Sequence, residues 1–291
     1  MNLQQKVKQT VQNYKLCNKK ERVLVALSGG KDSTVTAYLL KKFGYNIEGF
    51  HIDLSMGKYS EKCLKAVQDL CKQLEIKLHI YDVKKEMGNS MCYLRSAIQS
   101  QKSLKNCAIC GVIKKWIMNK EARKLKADKI ATGHNLDDEA QTFLINVFKG
   151  SPDLSSNSGP ITRNVGDKKF VSRIKPLFYI PEDDIKEYSK KMKLPVVYEK
   201  CPCAIDSYRI QVRKFMNTMP DKNKLNIVGN MEKLMKKIDR SPRDDSSKDD
   251  SGEPSGEPSG EPKDNEINYC EICGEPSRKK VCKMCELMKL K

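Results

Sequence analysis

The sequence predicts an α/β fold, with a doubly wound, parallel, five-stranded sheet, a C-terminal helical lobe and a cysteine-rich module at the end. Short β-branched runs alternate with helical stretches through residues 21–150. Such alternation is typical of parallel strands whose helices cover both faces of a sheet. Further helical stretches occupy 151–240, and four cysteines cluster in 267–291. The 291 residues are enough to bury a sizeable core.

Residues 1–20 are predicted to form an amphipathic helix, since Leu3, Val7, Val11 and Tyr14 fall on one helical face. The segment is polar and basic, without the apolar core of a signal peptide. No apolar run of the sequence approaches the roughly 18–20 residues that a membrane span requires. We therefore expect a cytoplasmic protein that does not associate with membranes.

The elements of the α/β domain, 21–150, follow in order along the chain. Strands are predicted at 22–28, 46–53, 77–81 and 129–132, and helices at 32–43, 59–74, 84–100, 108–125 and 136–148. Residues 169–178 are either a further strand or an extended connection. Because ligands bind at the carboxyl ends of parallel strands, residues 28–33, 51–53 and 133–138 should converge on one pocket.

The C-terminal part is predicted to contain a lobe and a linker. In the lobe, 151–240, helices are expected from Pro181 and over 206–217 and 222–239, and the basic face of the middle helix suits a lobe that receives the substrate. Residues 241–266 repeat Ser-Gly-Glu-Pro three times and carry nine acidic against three basic residues. Such a segment has little to bury, so a disordered tether is predicted.

The net charge of +18, from 55 Lys and Arg against 37 Asp and Glu, favours a polyanionic partner, most simply a nucleic acid. Because the linker is itself acidic, the rest of the chain is more basic than this total. A solvated, lysine-rich surface of the kind found in thermophiles is the alternative.

The stretch Ser28–Ser33, with the sequence SGGKDS, joins a predicted strand to a predicted helix. Its two glycines let a ligand approach the main chain closely, and the free amides at the helix N-terminus favour an anion. Lys31 adds positive charge, and Asp32 suits Mg²⁺ or a helix cap. The spacing is not that of a Walker loop, and an ordinary Gly-Ser turn is the alternative.

Twelve cysteines suggest metal ligands rather than disulfides in a cytosolic protein. Two Cys-x2-Cys pairs near the C-terminus have the spacing of a zinc ribbon; they comprise Cys270, Cys273, Cys282 and Cys285. Four thiolates suit tetrahedral Zn²⁺, which would stabilise a module too small to fold on apolar burial alone. Lysines around the pairs fit either RNA contact or a solvated face.

Cys107 and Cys110 form another pair, which Cys201 could complete. Three thiolates could hold a [4Fe-4S] cluster and leave one iron without a protein ligand, able to bind hydrosulfide. A second Zn²⁺ with Cys203 as fourth ligand, or a redox dithiol, fits the same residues.

A further motif, Gly133–Ala140, follows a predicted strand. Its carboxylates could hold Mg²⁺ or serve as acid or base, or form an ordinary acidic helix start.

Together these motifs resemble the PP-loop tRNA thiolation enzymes of the TtuA, NcsA and TtcA group, of archaeal type, within the adenine nucleotide α-hydrolase-like (HUP-like) superfamily. The resemblance covers about residues 20–240. It rests on SGGKDS at 28–33, FHID at 50–53, CAIC at 107–110, GHNLDDEAQT at 133–142 and CPCA at 201–204. It implies the PP-loop fold and the installation of sulfur at carbon 2 of a tRNA pyrimidine.

The resemblance also implies site residues. The ATP-binding residues would be Ala26, Ser28, Gly29, Gly30, Lys31, Asp32, Ser33, Ile52, Asp53, Lys114, Gly133 and Asp138, of which Asp138, Lys114 and Asp32 would be catalytic. The [4Fe-4S] ligands would be Cys107, Cys110 and Cys201. Cys203 is a departure from the family pattern and an alternative ligand. Relatives also carry an N-terminal zinc ribbon, whereas here Cys17 alone precedes the first strand.

The implied reaction begins when the pyrimidine oxygen attacks the α-phosphate of ATP, so that pyrophosphate leaves. Sulfide then replaces the adenylated oxygen, giving 2-thiouridine at tRNA position 34 or 54. The implied partners are tRNA, a sulfur donor (free sulfide or a thiocarboxylated ubiquitin-like protein) and a second copy of the chain in a homodimer. The alternatives are 2-thiocytidine synthesis, a [4Fe-4S] desulfidase, another PP-loop RNA-modifying ligase, and a non-catalytic tRNA-binding zinc-ribbon protein.

Overall fold

The computed structural model describes residues 1–151, 155, 158–162, 169–204, 208–240, 268–277 and 279–288, with the side chains of the last helix of the lobe described to residue 234. The predicted linker at 241–266 lies outside the described residues. Among the described residues, no helix combines the length and apolarity that crossing a bilayer demands.

A five-stranded parallel sheet forms the centre of the protein, in the order β3-β2-β1-β4-β5. Its strands are β1 (Val23–Ala26), β2 (Ile47–Asp53), β3 (Leu78–Asp82), β4 (Lys129–Ala131) and β5 (Ser172–Ile174). The predicted doubly wound α/β class is confirmed, and the ambiguous segment 169–178 supplies the fifth strand. Strand order reverses between β1 and β4, which opens a crevice at their carboxyl ends.

Eleven helices surround the sheet and build the lobe in the described part of the chain. They are α1 (Leu3–Asn13), α2 (Lys31–Lys42), α3 (Lys58–Gln73), α4 (Val83–Met87), α5 (Met91–Gln99), α6 (Asn106–Lys124), α7 (Leu136–Phe148), α8 (Glu182–Lys191), α9 (Arg209–Met216), α10 (Asp221–Arg240) and α11 (Lys283–Met288). The single helix predicted over 84–100 is wrong. Gly88 ends α4 in the left-handed region at φ +77°, and the Ser90 side chain caps α5.

The alternation of side chains along β1 divides the core into two layers. Val23 and Val25 pack in a first layer beneath α1, α2 and α8. Leu24 points to the other face and packs in a second layer with buried residues of α5 and α6. The lobe has its own apolar cluster, in which Phe178 and Val212 pack against Leu136 of α7.

The C-terminal cysteine-rich module contains a short antiparallel pair, β6 (Asn268–Tyr269) and β7 (Pro276–Ser277), followed by α11. Its cysteines and Met284 belong to the second core layer. Glu275 is 5% exposed, accepts a hydrogen bond from Asn119 Nδ2 at 3.1 Å and pairs with Arg123. Helix α6 therefore holds the module against the α/β domain.

Candidate active site

The turn between β1 and α2 has the geometry of an anion-binding loop. Gly29 has φ +81°, and a Cβ there would lie 2.9 Å from the Cα of Cys63. A larger residue is excluded both by backbone strain and by α3. Gly30 caps α2 without a side chain, so the first amides of the helix have no side-chain acceptor at that position. These amides favour an anion in front of the turn.

Two serines brace this turn from inside. The Ser28 amide donates to Ser33 Oγ at 3.1 Å, and the two hydroxyl oxygens are 3.2 Å apart. Ser33 Oγ also donates to the carbonyl of Gly30 at 3.1 Å. The hydroxyls thus fix the path of the loop.

A polar network extends from the turn to the lobe. Lys31 Nζ lies 2.9 Å from Asp32 Oδ2 and 2.8 Å from Glu182 Oε1. Although burial acts in the opposite sense, the hydrogen bond from Lys31 holds the pKa of Glu182 below its ordinary value. Asn135 Nδ2 donates to Asp32 Oδ1 at 3.0 Å, and Asn135 Oδ1 caps α7 through the Asp138 amide at 3.0 Å. Asn135 therefore joins the Ser28–Ser33 turn to the start of α7.

Gly133 brings the second motif into direct contact with the first. A Cβ on this residue would lie 2.6 Å from Ser33 N and 2.7 Å from the carbonyl carbon of Asp32. Cβ atoms do not approach backbone this closely, so only glycine fits. The strand ends at 28–33 and 133–138, predicted from sequence to converge, lie side by side.

The first turn of α7 carries three consecutive acids, and the structure separates their roles. Asp137 pairs with Lys224 at 2.7 Å, Glu139 pairs with Lys175 at 2.7 Å, and both carboxylates are at most 6% exposed. Asp138 remains 27% exposed, and its nearest cation, on Arg209, is 3.7 Å away. Asp138 is therefore the acid of this turn that is open to a ligand.

The two accessible carboxylates influence one another. Burial raises the pKa of Asp138, although Arg209 and Arg213 oppose the shift. Burial also raises the pKa of Asp32, and the charge of Asp138 adds to that increase. Two carboxylates within repulsive reach of one another form a donor set that suits a divalent cation with oxygen ligands.

The remaining predicted ATP residues lie at strand ends and on α6. Ala26 ends β1, while Ile52 and Asp53 end the neighbouring β2. Asp53 Oδ1 accepts the Ser55 amide at 2.8 Å and shapes the following turn. Lys114 lies on α6, one helical turn after Cys110, and its charge acts on that thiol.

Three cysteines from two segments meet beside this crevice. Cys107 and Cys110 lie in the first turns of α6, with Cys107 exposed and Cys110 buried. Burial raises the pKa of Cys110, and the nearby charges of Cys201 and Cys107 raise it further. Cys203, the alternative ligand, contacts Arg95 Nη2 at 2.9 Å.

The two cysteine sites differ in spacing. Among the described residues, the four C-terminal cysteines are the only acidic, histidine or cysteine group whose ligand atoms all lie within 4.8 Å of one another. The Cys270–Cys285 and Cys273–Cys282 sulfur pairs are each 3.7 Å apart, which suits a single tetrahedral ion. Cys107, Cys110 and Cys201 do not form such a group among the described residues.

Cations from α6, from α11 and from the end of β5 lie near one another. Arg173 Nη2 donates to the carbonyl of Lys115 at 3.4 Å. Although the Lys115 side chain reaches solvent, desolvation and repulsion from Arg173, Lys175 and Lys283 lower its pKa. Such mutual repulsion is relieved when phosphates bind.

Sequence reasoning missed several of these residues. Glu182 follows Pro181 in the first turn of a helix, and its pairing with Lys31 spans 151 residues of chain. Asn135 lies inside the Gly133–Ala140 motif, where no role was assigned to it. Arg209 was assigned only to a basic face, and Arg95 was not singled out, because neither has a local sequence signature.

Comparison with known proteins gives the family. The sequence model of the PP-loop domain matches residues 1–218. The chain is 36% identical over 291 residues to the tRNA-5-methyluridine(54) 2-sulfurtransferase of Pyrococcus horikoshii, covering 99% of this chain and 85% of that protein. It is 30% identical over 298 residues to the cytoplasmic tRNA 2-thiolation protein 1 of Caenorhabditis elegans, covering 99% and 72%.

A solved structure is also similar across nearly the whole chain. The U34-tRNA thiolase NcsA from Methanococcus maripaludis, determined with its [4Fe-4S] cluster, matches with a TM-score of 0.73 and 26% identity, covering 98% of this chain and 86% of that one. The matched family model describes a PP-loop domain, and the relatives and the similar structure named above are all tRNA thiolation proteins. This chain belongs to the PP-loop family of tRNA 2-thiolation proteins.

Proposed function

We propose that this protein is an ATP-dependent tRNA sulfurtransferase that converts a uridine to 2-thiouridine. One contact carries the proposal: the Val197 amide donates to the carbonyl of Gly29 at 2.9 Å. It fastens the segment that bears Cys201 to the loop that would hold the triphosphate. A nucleotide site and a sulfur site would then serve one substrate base.

ATP would bind with its phosphates on the amides of 28–33 and its adenosine framed by Ala26, Ile52 and Asp53. Lys31 would exchange its carboxylate partners for phosphate oxygens. Asp32 would hold Mg²⁺ together with phosphate oxygens, while Asp138 would stay free of the metal and act on the base. The α/β domain, 21–150, would therefore bind ATP, and the lobe, 151–240, would receive the RNA.

The chemistry requires activation of an amide-like carbonyl. Uridine O2 attacks the α-phosphate, pyrophosphate departs, and the base loses its N3 proton. Asp138, with its raised pKa, would accept that proton, while Lys114 would stabilise charge on the α-phosphate. Hydrosulfide then adds at carbon 2, AMP leaves with the former oxygen, and the sulfhydryl proton moves to N3.

Cys107, Cys110 and Cys201 would hold a [4Fe-4S] cluster; the proximity of Cys107 and Cys201 to Cys110 and the similarity to a thiolase determined with such a cluster support this assignment. When bound, such a cluster supplies an open iron that accepts hydrosulfide. The C-terminal cysteines would hold structural Zn²⁺ in the ribbon, 267–291. Free sulfide or a thiocarboxylated ubiquitin-like protein as donor, and a homodimer, stay predictions from the family resemblance.

The RNA would lie over the cations Lys115, Arg173 and Lys283, which are near one another and have no salt bridge to a carboxylate within the described part of the chain. This surface includes part of the ribbon, so the module would contact the same RNA. The match to a relative named cytoplasmic supports a cytoplasmic location.

The test is thiolation in vitro under anaerobic conditions. The iron-loaded protein is incubated with ATP, Mg²⁺, sulfide and an unmodified tRNA transcript, and nucleosides are measured by mass spectrometry. We expect 2-thiouridine and AMP in equal amounts, with no AMP from Asp32→Ala and no thiolation by Cys201→Ala. Fragment mapping of the product would assign position 34, as in the Methanococcus thiolase, or 54, as in the Pyrococcus enzyme.

Other outcomes would replace the proposal with a specific alternative. Thiocytidine in the product would change the base. Sulfur loss from thiolated tRNA without ATP would indicate a desulfidase. Pyrophosphate release that needs neither tRNA nor the cysteines would indicate a ligase, and tRNA binding without ATP cleavage would indicate a non-catalytic protein.

A further inference from the structure

A buried arginine lies among sulfur atoms beside the proposed cluster site. Arg95, on α5, is 5% exposed. Its Nη2 donates to Cys203 Sγ at 2.9 Å and to Cys92 Sγ at 3.2 Å, while Nη1 lies 3.9 Å from Cys110 Sγ. In the described part of the chain its recorded hydrogen bonds go to sulfur alone, and Nε has no partner.

This environment is unfavourable for a guanidinium considered by itself. Burying a cation without a carboxylate costs several kcal/mol, and thiol or thioether sulfur is a weak acceptor. These contacts therefore give no reason to expect that Arg95 stabilises the folded protein. They do join four separate segments: α5, α6, the loop that carries Cys203 and the connection between β2 and α3 that carries Met56.

That loop has few other attachments. Residues 195–204 contain no helix or strand. Before Cys201, the chain is fixed by the bond from Val197 to Gly29, by the Tyr198 hydroxyl 2.9 Å from Ser189 Oγ and by Val196 packed on the core. The Lys62–Glu199 pair is more than half exposed and so contributes little. After Cys201, a turn closes through the Ala204 amide and the Cys201 carbonyl at 3.1 Å, and its third residue, Cys203, is bound by Arg95.

We propose that Arg95 is a positioning residue that holds the 201–204 turn against α5 and α6, so that Cys201 is the third cluster ligand and Cys203 is not a ligand. The inference rests on the proposed cluster site. Cys201 lies between two fixed points, at Val197 and at Cys203. Cys110 is near both the Arg95 guanidinium and Cys201, so the arginine sets the distance between the two ligand-bearing segments.

The experiment compares single variants after anaerobic iron–sulfur loading. Arg95→Met removes the fork with little change in volume, and Arg95→Lys keeps the charge without the fork. Cys201→Ala and Cys203→Ala test the ligand assignment. Arg22→Met, which loses a guanidinium that binds Glu48 at the far end of β2, is the control for general destabilisation. The readouts are iron per chain, the rate of iron loss to a chelator, and alkylation of each cysteine in the iron-free protein.

We expect Cys203→Ala to retain the iron content of the wild type and Cys201→Ala to lose it. Arg95→Met should release iron about 10–100-fold faster, as is usual when a partner of a ligand-bearing segment is removed. It should also increase Cys203 alkylation in iron-free protein without changing that of Cys71, which is buried on the core side of α3. Arg95→Lys should be intermediate, and Arg22→Met should match the wild type.

Three results would overturn the inference: equal iron loss in Cys203→Ala and Cys201→Ala, unchanged chelation and alkylation in Arg95→Met, or equal effects of Arg95→Met and Arg22→Met. Circular dichroism and ATP binding show whether each variant is folded. A wild type that takes up no iron would overturn the cluster proposal instead, and the alkylation of iron-free protein would still decide whether Arg95 holds the turn.

Discussion

Replacing Gly133 by alanine tests whether the contact between the two motifs sets the nucleotide site. The added Cβ would lie 2.6 Å from Ser33 N, about 0.8 Å inside ordinary van der Waals contact at 3.4 Å, and the two nearest atoms belong to the backbone. The loop or β4 must therefore move. Overpacking of this kind costs about 1–3 kcal/mol of folding free energy. A misplacement near 1 Å in a reacting site costs about 10²-fold in rate.

The assay measures ATP affinity by calorimetry and pyrophosphate release in the presence of tRNA. We expect Gly133→Ala to lose about two orders of magnitude in turnover and to bind ATP more weakly, while remaining folded. Gly229→Ala is the matched control, because no atom lies within 4 Å of its Cβ position and it stands inside α10. It should keep full activity and gain about 0.5–1 kcal/mol of stability. Normal ATP binding and turnover in Gly133→Ala would refute the reasoning.

Three further predictions follow from the charges. Asp138→Asn should slow thiolation by about 10²–10⁴-fold with ATP binding retained. Because burial raises the pKa of this acid, the wild-type rate should fall on acidification at a higher pH than an ordinary aspartate would give. The variant should not show this fall in rate. Lys224→Met leaves buried Asp137 without its cation and should cost about 3–5 kcal/mol in urea denaturation. Lys115→Gln with Arg173→Gln should lower the salt slope of tRNA binding by about 2 and leave ATP affinity unchanged.

Local pattern was sufficient for the parts of the site that depend on chain direction. Alternating strands and helices require parallel strands, whose carboxyl ends share one edge, so the convergence of 28–33 with 133–138 was predictable. The meeting of the four C-terminal cysteines at one site was predictable, because their spacing in the sequence is restrictive by itself. A close backbone approach at Gly133 was also predictable, but the atoms that it approaches, in the backbone of Asp32 and Ser33, were not.

The rest depended on packing that sequence spacing does not encode. Asp137, Asp138 and Glu139 are chemically equivalent in the sequence, yet consecutive helical positions point about 100° apart. The lobe supplies Lys224, and the residue after β5 is Lys175; these two cations neutralise two of the acids and leave one exposed. No local signal reveals that division, because both cations come from distant segments.

Helix α6 connects the two cysteine sites physically. Its first turns carry Cys107 and Cys110, and its last turns carry Asn119 and Arg123, which bind buried Glu275 of the C-terminal module. The module also completes the second core layer, in which Cys110 and the buried isoleucines of α6 pack. Metal binding that folded the module would therefore stabilise the layer on which the proposed cluster ligands stand. The ribbon would thus support sulfur transfer through the core as well as by contact with RNA.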